Sequence, residues 1–170
     1  MGKPGGTSIS RIERTLLALG SNLGDRDGAL DAAIAGLAEE AGAVVAVSSR
    51  HETPALLPPG APPSWDIPFL NMTVAVDTTL APADLLATVK AIEARLGRTP
   101  SERWAPRTID IDILAVGDRV VDGEGLTIPH AELHKRRFVL DPLLEIAPGW
   151  RHPLLGETVA EMRARLAEEP

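Results

Sequence analysis

The 170-residue sequence contains no cysteine and no tyrosine, and aromatic residues make up only 3% of it. Without cysteine, neither disulfide bonds nor thiolate metal ligands can contribute to the protein. The sequence also lacks an apolar run near the ~20 residues that span a bilayer, and it has no signal-peptide pattern. We therefore expect a cytoplasmic protein that does not bind membranes.

Positive charge is scarce as well, because 17 lysines and arginines face 24 acidic residues and give a net charge of −7. This balance argues against a nucleic-acid-binding protein, which would present a basic surface. The basic residues are instead concentrated in two segments, Arg95–Arg107 and His134–Arg137. A locally basic cleft in an acidic protein suits a small anionic ligand.

The length and the 44% hydrophobic content fit one globular domain with a proper core. Residues 1–12 are small, polar and rich in glycine. We predict that they form a disordered leader or a cloning remnant, and that residues 13–170 form a single domain. A monomer is expected.

The hydrophobic periodicity predicts six regular elements in the first two thirds of the chain. They are a strand at Thr15–Leu19, a helix at Arg26–Ala41, strands at Ala43–Ser49 and Phe69–Asp77, a helix from Pro82 to Leu96, and a strand at Thr108–Ala115. This β-α-β-β-α-β order is that of the ferredoxin-like split arrangement, an α/β (α+β) fold. Two helical stretches, Pro142–Ile146 and Glu157–Ala167, form a C-terminal extension.

Three loops interrupt these elements. The segment His51–Ser64 carries five prolines and is predicted to be an irregular functional loop, such as a lid. Gly117 and Asp118 predict a hairpin turn that leads toward Val120 and Val121. The loop Gly20–Asp25 resembles a phosphate cradle but lacks the P-loop pattern, so an ordinary strand-to-helix turn is favoured.

The most informative stretch is Arg103–Leu114, which reads RWAPRTIDIDIL. On a strand, Asp110 and Asp112 share one face with Cα atoms roughly 6.6 Å apart, and their oxygens can converge on one or two Mg²⁺ ions. Four arginines precede the pair, namely Arg95, Arg98, Arg103 and Arg107. Guanidinium groups bind phosphate well, so the stretch predicts a site for a polyphosphate and its metal ions. The alternative is a half-buried strand with solvated acids.

Several motifs in order together resemble the 6-hydroxymethyl-7,8-dihydropterin pyrophosphokinase family. They are Leu19–Gly24, Glu52–Pro54, Phe69–Asn71, Arg103–Ile113, Ile128–His130 and Arg136–Phe138. The resemblance implies an ATP-dependent enzyme of folate biosynthesis that transfers pyrophosphate to the pterin hydroxymethyl group and releases AMP. It also implies a ferredoxin-like core sheet with helices packed on both sides.

The resemblance assigns roles to individual residues. Asp110 and Asp112 would hold two Mg²⁺ ions and, with Arg103 and Arg107, form the catalytic group. The residues implied to bind ATP are Glu93, Arg98, Arg103, Arg107, Ile113, Thr127, His130 and Arg136. Those implied to bind 6-hydroxymethyl-7,8-dihydropterin are Thr53, Pro54, Leu56, Phe69, Asn71, Trp104, Asp110 and Phe138. From periodicity alone, Glu93 would be a solvated helix position.

The sequence departs from the family pattern at two positions, and two other functions are alternatives to the pyrophosphokinase. Pro100 stands where many relatives carry a basic residue, and Ala131 stands where an aromatic residue is frequent. One rival function is another Mg²⁺-dependent phosphoryl or nucleotidyl transferase. The other is a non-enzymatic ferredoxin-like module that binds a ligand or RNA, against which the scarcity of aromatic residues and the charge of −7 both count.

Overall fold

The computed structural model describes residues 11–168, so most of the predicted leader lies outside the described residues. Seven strands and four α-helices follow one another along this part of the chain. In order they are β1 (Glu13–Ser21), α1 (Arg26–Glu40), β2 (Ala43–Val47), β3 (His51–Thr53), β4 (Phe69–Thr78), α2 (Pro82–Arg95), β5 (Asp110–Val116), β6 (Val121–Gly123), β7 (Leu126–Ile128), α3 (Arg137–Ile146) and α4 (Val159–Glu168). Within this range, none of the helices combines the length and apolar character needed to cross a membrane.

The four long strands form an antiparallel sheet in the order β2-β4-β1-β5. Helix α1 connects two strands that have β4 between them, and α2 connects two strands that have β1 between them. This is the split β-α-β arrangement. The predicted α/β class is confirmed, and the predicted order of elements is present with one additional strand, β3, between β2 and β4.

One face of the sheet packs against α1 and α2. Helix α1 begins after Asp25, whose carboxylate accepts a hydrogen bond from the backbone N–H of Gly28 and caps the helix. Buried residues recur at helical spacing in both helices, as with Leu30 and Leu37 in α1 and Leu85 and Ile92 in α2. They meet strand residues of the same face and form the larger hydrophobic core.

The opposite face packs against the C-terminal extension. Leu140 and Leu143 of α3 and Met162 of α4 are buried against Leu16 and Leu114 of the sheet. Helix α3 begins five residues earlier than predicted, at Arg137, and includes Pro142 in its interior. Helices therefore lie on both sides of the sheet, as the family resemblance implied.

Two of the loop predictions are wrong. The segment predicted to be irregular begins with β3, which pairs with β4, because its first three residues precede the prolines and keep their backbone N–H groups. The turn after β5 does not lead into a hairpin with β5. Strand β6 pairs with β7 instead, across a tight connection that contains Gly125 with a φ of 71°.

The register of the sheet brings three strands together at one end. Gly20 of β1 lies opposite Asn71 of β4 on one side and opposite Asp110 of β5 on the other. A Cβ atom on Gly20 would lie 2.9 Å from the Asn71 Oδ1 atom, so only glycine leaves room for that amide. The candidate site forms at this end.

Candidate functional site

A cavity of about 250 Å³ opens at the sheet end that carries Gly20, Asn71 and Asp110. It collects predicted residues from four separate segments of the chain. The predicted residues that line it are Thr53, Pro54, Leu56, Phe69, Asn71, Arg103, Trp104, Arg107, Asp110, Asp112, His130, Arg136 and Phe138. All of the residues predicted to bind the pterin thus lie around one cavity.

A second cavity of about 320 Å³ lies beside the first, between α2, β5 and the β6–β7 hairpin. Ile113 and Thr127, which the family resemblance assigns to ATP binding, both line it. Asp112 and His130 line both cavities and form the boundary between them. The structure therefore separates Ile113 and Thr127 from the residues predicted to bind the pterin. Three arginines predicted to bind ATP, Arg103, Arg107 and Arg136, line the first cavity.

The two aspartates emerge from the same face of β5, while Ile111 between them is buried in the core on the other face. The two carboxylate oxygens of Asp110 face different arginines. Oδ1 accepts a hydrogen bond from Arg98 at 2.7 Å, and Oδ2 accepts one from Arg107 at 3.2 Å. Asp110 is thus held in place by two of the predicted phosphate-binding arginines.

Asp112 has a different environment. Its carboxylate has no hydrogen-bond or ion-pair partner among residues 11–168, and the residue borders both cavities. Burial raises the pKa of Asp112 to about 7, and the negative charges of Asp110 and Glu93 act in the same direction. A carboxylate in such a position gains a large stabilisation from a bound cation.

Glu93 and Arg98 line neither cavity. Glu93 is only 2% exposed, so its interpretation as a solvated helix position is wrong. Its carboxylate accepts a hydrogen bond from Arg98, which bridges it to Asp110, and Lys90 lies 3.2 Å from its other oxygen. Glu93 and Arg98 therefore act on the site indirectly, by orienting the Asp110 carboxylate.

His130 stands at the boundary between the cavities with a defined tautomer. Its Nδ1 atom accepts a hydrogen bond from the backbone N–H of Glu132 at 3.1 Å, which leaves Nε2 to carry the proton of the neutral ring. Burial lowers the pKa of His130, and the charge of Arg136 lowers it further. His130 is therefore available as a neutral hydrogen-bond donor.

The first cavity also contains the predicted aromatic and amide groups. Asn71 donates a hydrogen bond from Nδ2 to the Thr53 hydroxyl at 2.6 Å, which fixes the amide and leaves its second N–H free for a ligand. Phe69 and Phe138 both line this cavity, and the Arg136 guanidinium lies 5.6 Å from the centre of the Phe138 ring. A flat ring bound here would meet aromatic faces and an amide edge.

The loop before β5 brings an arginine and a tryptophan to the same cavity. The Arg103 guanidinium lies 4.7 Å from the centre of the Trp104 ring, a cation–π contact. Trp104 has a φ of 74°, in the left-handed region that non-glycine residues seldom occupy. Such strained positions are concentrated at functional sites.

Comparison with known proteins agrees with this geometry. The model of the 7,8-dihydro-6-hydroxymethylpterin-pyrophosphokinase (HPPK) family matches residues 16–148, which is more than half of the chain. The chain belongs to this family. The predicted family and the predicted enzyme class, a pyrophosphokinase, are confirmed.

Similar proteins in the HPPK family come from several bacteria. A 2-amino-4-hydroxy-6-hydroxymethyldihydropteridine pyrophosphokinase of Methylorubrum extorquens is 46% identical over 156 residues, which cover 91% of this chain and 94% of the relative. A protein of the same name from Synechocystis is 40% identical over 148 residues, covering 86% of this chain and 73% of the relative. A folate synthesis bifunctional protein of Chlamydia trachomatis is 39% identical, with 87% of this chain covered but only 34% of that protein.

Solved structures support the fold. The crystal structure of wild-type HPPK-DHPS from Plasmodium falciparum superimposes with a TM-score of 0.70 at 16% identity, covering 94% of this chain. An HPPK-DHPS structure in complex with substrates gives a TM-score of 0.73 at 17% identity over 93% of this chain. The chain spans under half of these solved proteins, 45% and 44% respectively.

The two departures from the HPPK pattern lie in different places. Pro100 is exposed and borders neither cavity, whereas Ala131 lines the second cavity, where its small side chain adds space. Two further residues near the site were not predicted. Lys90 lines the second cavity, and its position one helical turn before Glu93 was the available signal. Asn22, inside the Leu19–Gly24 motif, contacts the loop that carries Arg107.

Proposed function

We propose that the two adjoining cavities together bind 6-hydroxymethyl-7,8-dihydropterin and ATP for pyrophosphate transfer. The observation that carries the proposal is the shared boundary at Asp112 and His130. Family membership supplies the reaction, and this boundary supplies a place where the pterin from one side meets the triphosphate from the other. ATP would extend from Ile113 and Thr127 across the boundary into the first cavity.

Asp110 and Asp112 would hold magnesium. Carboxylate oxygens are the ligands that Mg²⁺ prefers, and the half-buried carboxylate of Asp112 has no partner among the described residues. No group of three or more histidine, aspartate or glutamate side chains in the described part of the chain is arranged to hold a metal ion by itself. This suits Mg²⁺, which binds one or two carboxylates and takes its other ligands from phosphates and water. When bound, two such ions would neutralise the charge that develops on the transferred group.

The arginines would position the triphosphate. Arg103, Arg107 and Arg136 border the first cavity, and each can bind a phosphate bidentately. Arg98 is paired with Asp110, so it would reach a phosphate only by leaving that carboxylate. The neutral His130 would add a hydrogen bond without repelling the arginines. Phosphoryl-type transfer requires mainly positioning and charge stabilisation, and this arrangement offers both.

In the proposed reaction, the hydroxymethyl oxygen of the pterin attacks the β-phosphorus of ATP and loses its proton. The bond from the β-phosphorus to the oxygen of the α-phosphate breaks, and AMP leaves. Phe69 and Phe138 would stack on the pterin ring, and the free N–H of Asn71 would bind its edge. The Thr53–Leu56 segment would cover the remaining edge, and Trp104 would exclude water.

The decisive experiment incubates the protein with ATP, Mg²⁺ and 6-hydroxymethyl-7,8-dihydropterin and separates the products by chromatography. We expect AMP and the pterin diphosphate in equal amounts. Formation of ADP would indicate ordinary phosphoryl transfer, and release of pyrophosphate would indicate nucleotidyl transfer. Either product in place of AMP and the pterin diphosphate would overturn the proposal. The cytoplasmic location, the monomeric state, the count of two ions and the domain limits stay predictions from the sequence.

A further inference from the structure

Asn22, the first residue after β1, is 1% exposed and makes three hydrogen bonds to distant segments. Its side-chain Oδ1 accepts from the backbone N–H of Arg107 at 2.8 Å. Its own backbone N–H donates to the Arg107 carbonyl at 3.1 Å, and its Nδ2 donates to the Ile67 carbonyl at 3.0 Å. The proposed mechanism uses none of these contacts.

The bonding pattern fixes both the orientation and the identity of this side chain. The Arg107 N–H can only donate and the Ile67 carbonyl can only accept, so a single residue must offer one acceptor and one donor from the same branch. Asparagine meets that requirement. Aspartate would keep the acceptor and lose the donor, and alanine would lose both. Each loss leaves a buried polar group unpaired, which is costly.

The two segments that Asn22 joins belong to different halves of the site. Arg107 lines the first cavity and pairs with Asp110, and it was assigned to phosphate binding. Ile67 lies two residues before Phe69, which was assigned to stacking on the pterin. We propose that Asn22 is a positioning residue that locks the phosphate-binding loop to the pterin-binding segment; this inference rests on the proposed function.

A neighbouring contact strengthens the same connection. Arg26, at the start of α1, donates to the carbonyl of Pro68 at 3.0 Å and pairs with Glu52 at 2.8 Å. The short segment before Phe69 is thus held at two consecutive carbonyl groups by residues from the β1–α1 connection. Of the two, only Asn22 also holds Arg107, so it alone of this pair transmits a displacement from one half of the site to the other.

The test compares Asn22→Asp and Asn22→Ala with Thr78→Val. Thr78 is a buried residue at the opposite end of the sheet, where its hydroxyl donates to the Ala41 carbonyl at 2.6 Å. Valine is nearly isosteric, so Thr78→Val should lower the melting temperature and leave kcat and both KM values unchanged. Asn22→Asp should raise the KM of the pterin about tenfold with the KM of ATP within twofold, because it frees only the Ile67 side. Asn22→Ala should raise both KM values and lower kcat.

The inference would be overturned if both Asn22 variants had the same kcat and KM values as Thr78→Val at a similar loss of melting temperature. Hydrogen exchange of the wild-type protein tests the inference independently of whether the variants fold. The Arg107 amide should exchange with deuterium as slowly as the amides of β5, and rapid exchange would also overturn the inference. Asp110→Ala separates this inference from the proposed function. Full activity of Asp110→Ala would refute the proposed site. If Asp110→Ala is inactive while both Asn22 variants keep wild-type kinetics, only the positioning role of Asn22 is refuted.

Discussion

The two cavities that meet at Asp112 are lined by different kinds of residue. The first cavity, the proposed pterin side, is lined by arginines, aromatic rings and an amide, and some of these groups already contact one another, as Asn71 contacts Thr53. The proposed nucleoside side has neither an arginine nor a phenylalanine or tryptophan among its described lining residues. It is lined by five aliphatic side chains, by two glycines of the β6–β7 hairpin, and by Lys90, Asp112, Thr127 and His130. A triphosphate and a polar bicyclic ring need charges and hydrogen bonds in fixed positions. An adenosine moiety needs apolar contacts for its base and a few hydrogen-bonding groups for its ribose, and the second cavity offers both.

The largest effect is expected where the two cavities meet. Asp110→Ala and Asp112→Ala should each lower kcat by about a thousandfold or more, because neither variant keeps a complete set of carboxylates for Mg²⁺. Production of AMP gives the measurement, and circular dichroism checks that the fold is retained. Near-normal turnover in a folded variant of either residue would remove the metal-binding role from this boundary.

The same boundary should respond to pH in the absence of metal. Asp112 has a pKa of about 7 in the folded protein and about 3.8 when unfolded, so the native state retains a proton that the unfolded state loses. The free energy of unfolding should therefore fall as the pH rises from about 4 to about 7, by at most about 4 kcal/mol. Denaturant titrations in EDTA measure it. Asp112→Asn serves as the reference, and an identical pH dependence in both proteins would contradict the prediction.

A smaller effect should separate the cavities by ligand. Phe138→Ala should weaken pterin binding about 10- to 100-fold and change ATP binding little, because the ring lines only the first cavity. Calorimetry with each ligand gives the comparison. Phe138→Leu keeps the apolar bulk and removes the aromatic face, so it isolates the stacking contribution. Equal losses of affinity for both ligands would argue against stacking of the pterin ring on Phe69 and Phe138.

The smallest effect is expected on the nucleoside side. Thr127→Val should raise the KM of ATP about three- to tenfold by removing one hydroxyl group, with the KM of the pterin unchanged. Thr127→Ser retains the hydroxyl and should behave like the wild type. If the valine variant altered the KM of the pterin as strongly as that of ATP, the two cavities would not serve separate substrates.

Much of the fold was predictable because burial imposes periodicity. The alternation along β5 and the helical spacing of Leu85, Val89 and Ile92 each reflect one face against the core. The errors concern short-range pairing. Strand β3 has only three residues and is defined by its partner β4, and the β6–β7 hairpin has strands equally short. A pattern of three residues is too brief to distinguish a strand from a loop.

The candidate site likewise contains residues that a local sequence pattern predicts and residues that it does not. Glu93 has the sequence environment of a solvated helix residue, yet it is buried because Arg98 and Lys90 converge on it. Asn22 carried no recognisable signal of its own beyond the motif around it, since its two partner residues, Ile67 and Arg107, lie 45 and 85 residues away in sequence. Long-range polar contacts of this kind have no period and cannot be read from a local pattern.

The sequence by itself determined the helices, the long strands, the paired carboxylates on one strand face and the family. These depend on residue type and local spacing, which the chain carries in any conformation. Only the tertiary structure decided that Asp110 is held by two arginines, while the Asp112 carboxylate lies between two cavities without a partner among the described residues. Which charges become neighbours, and how much water surrounds them, depends on the packing of segments far apart in the chain.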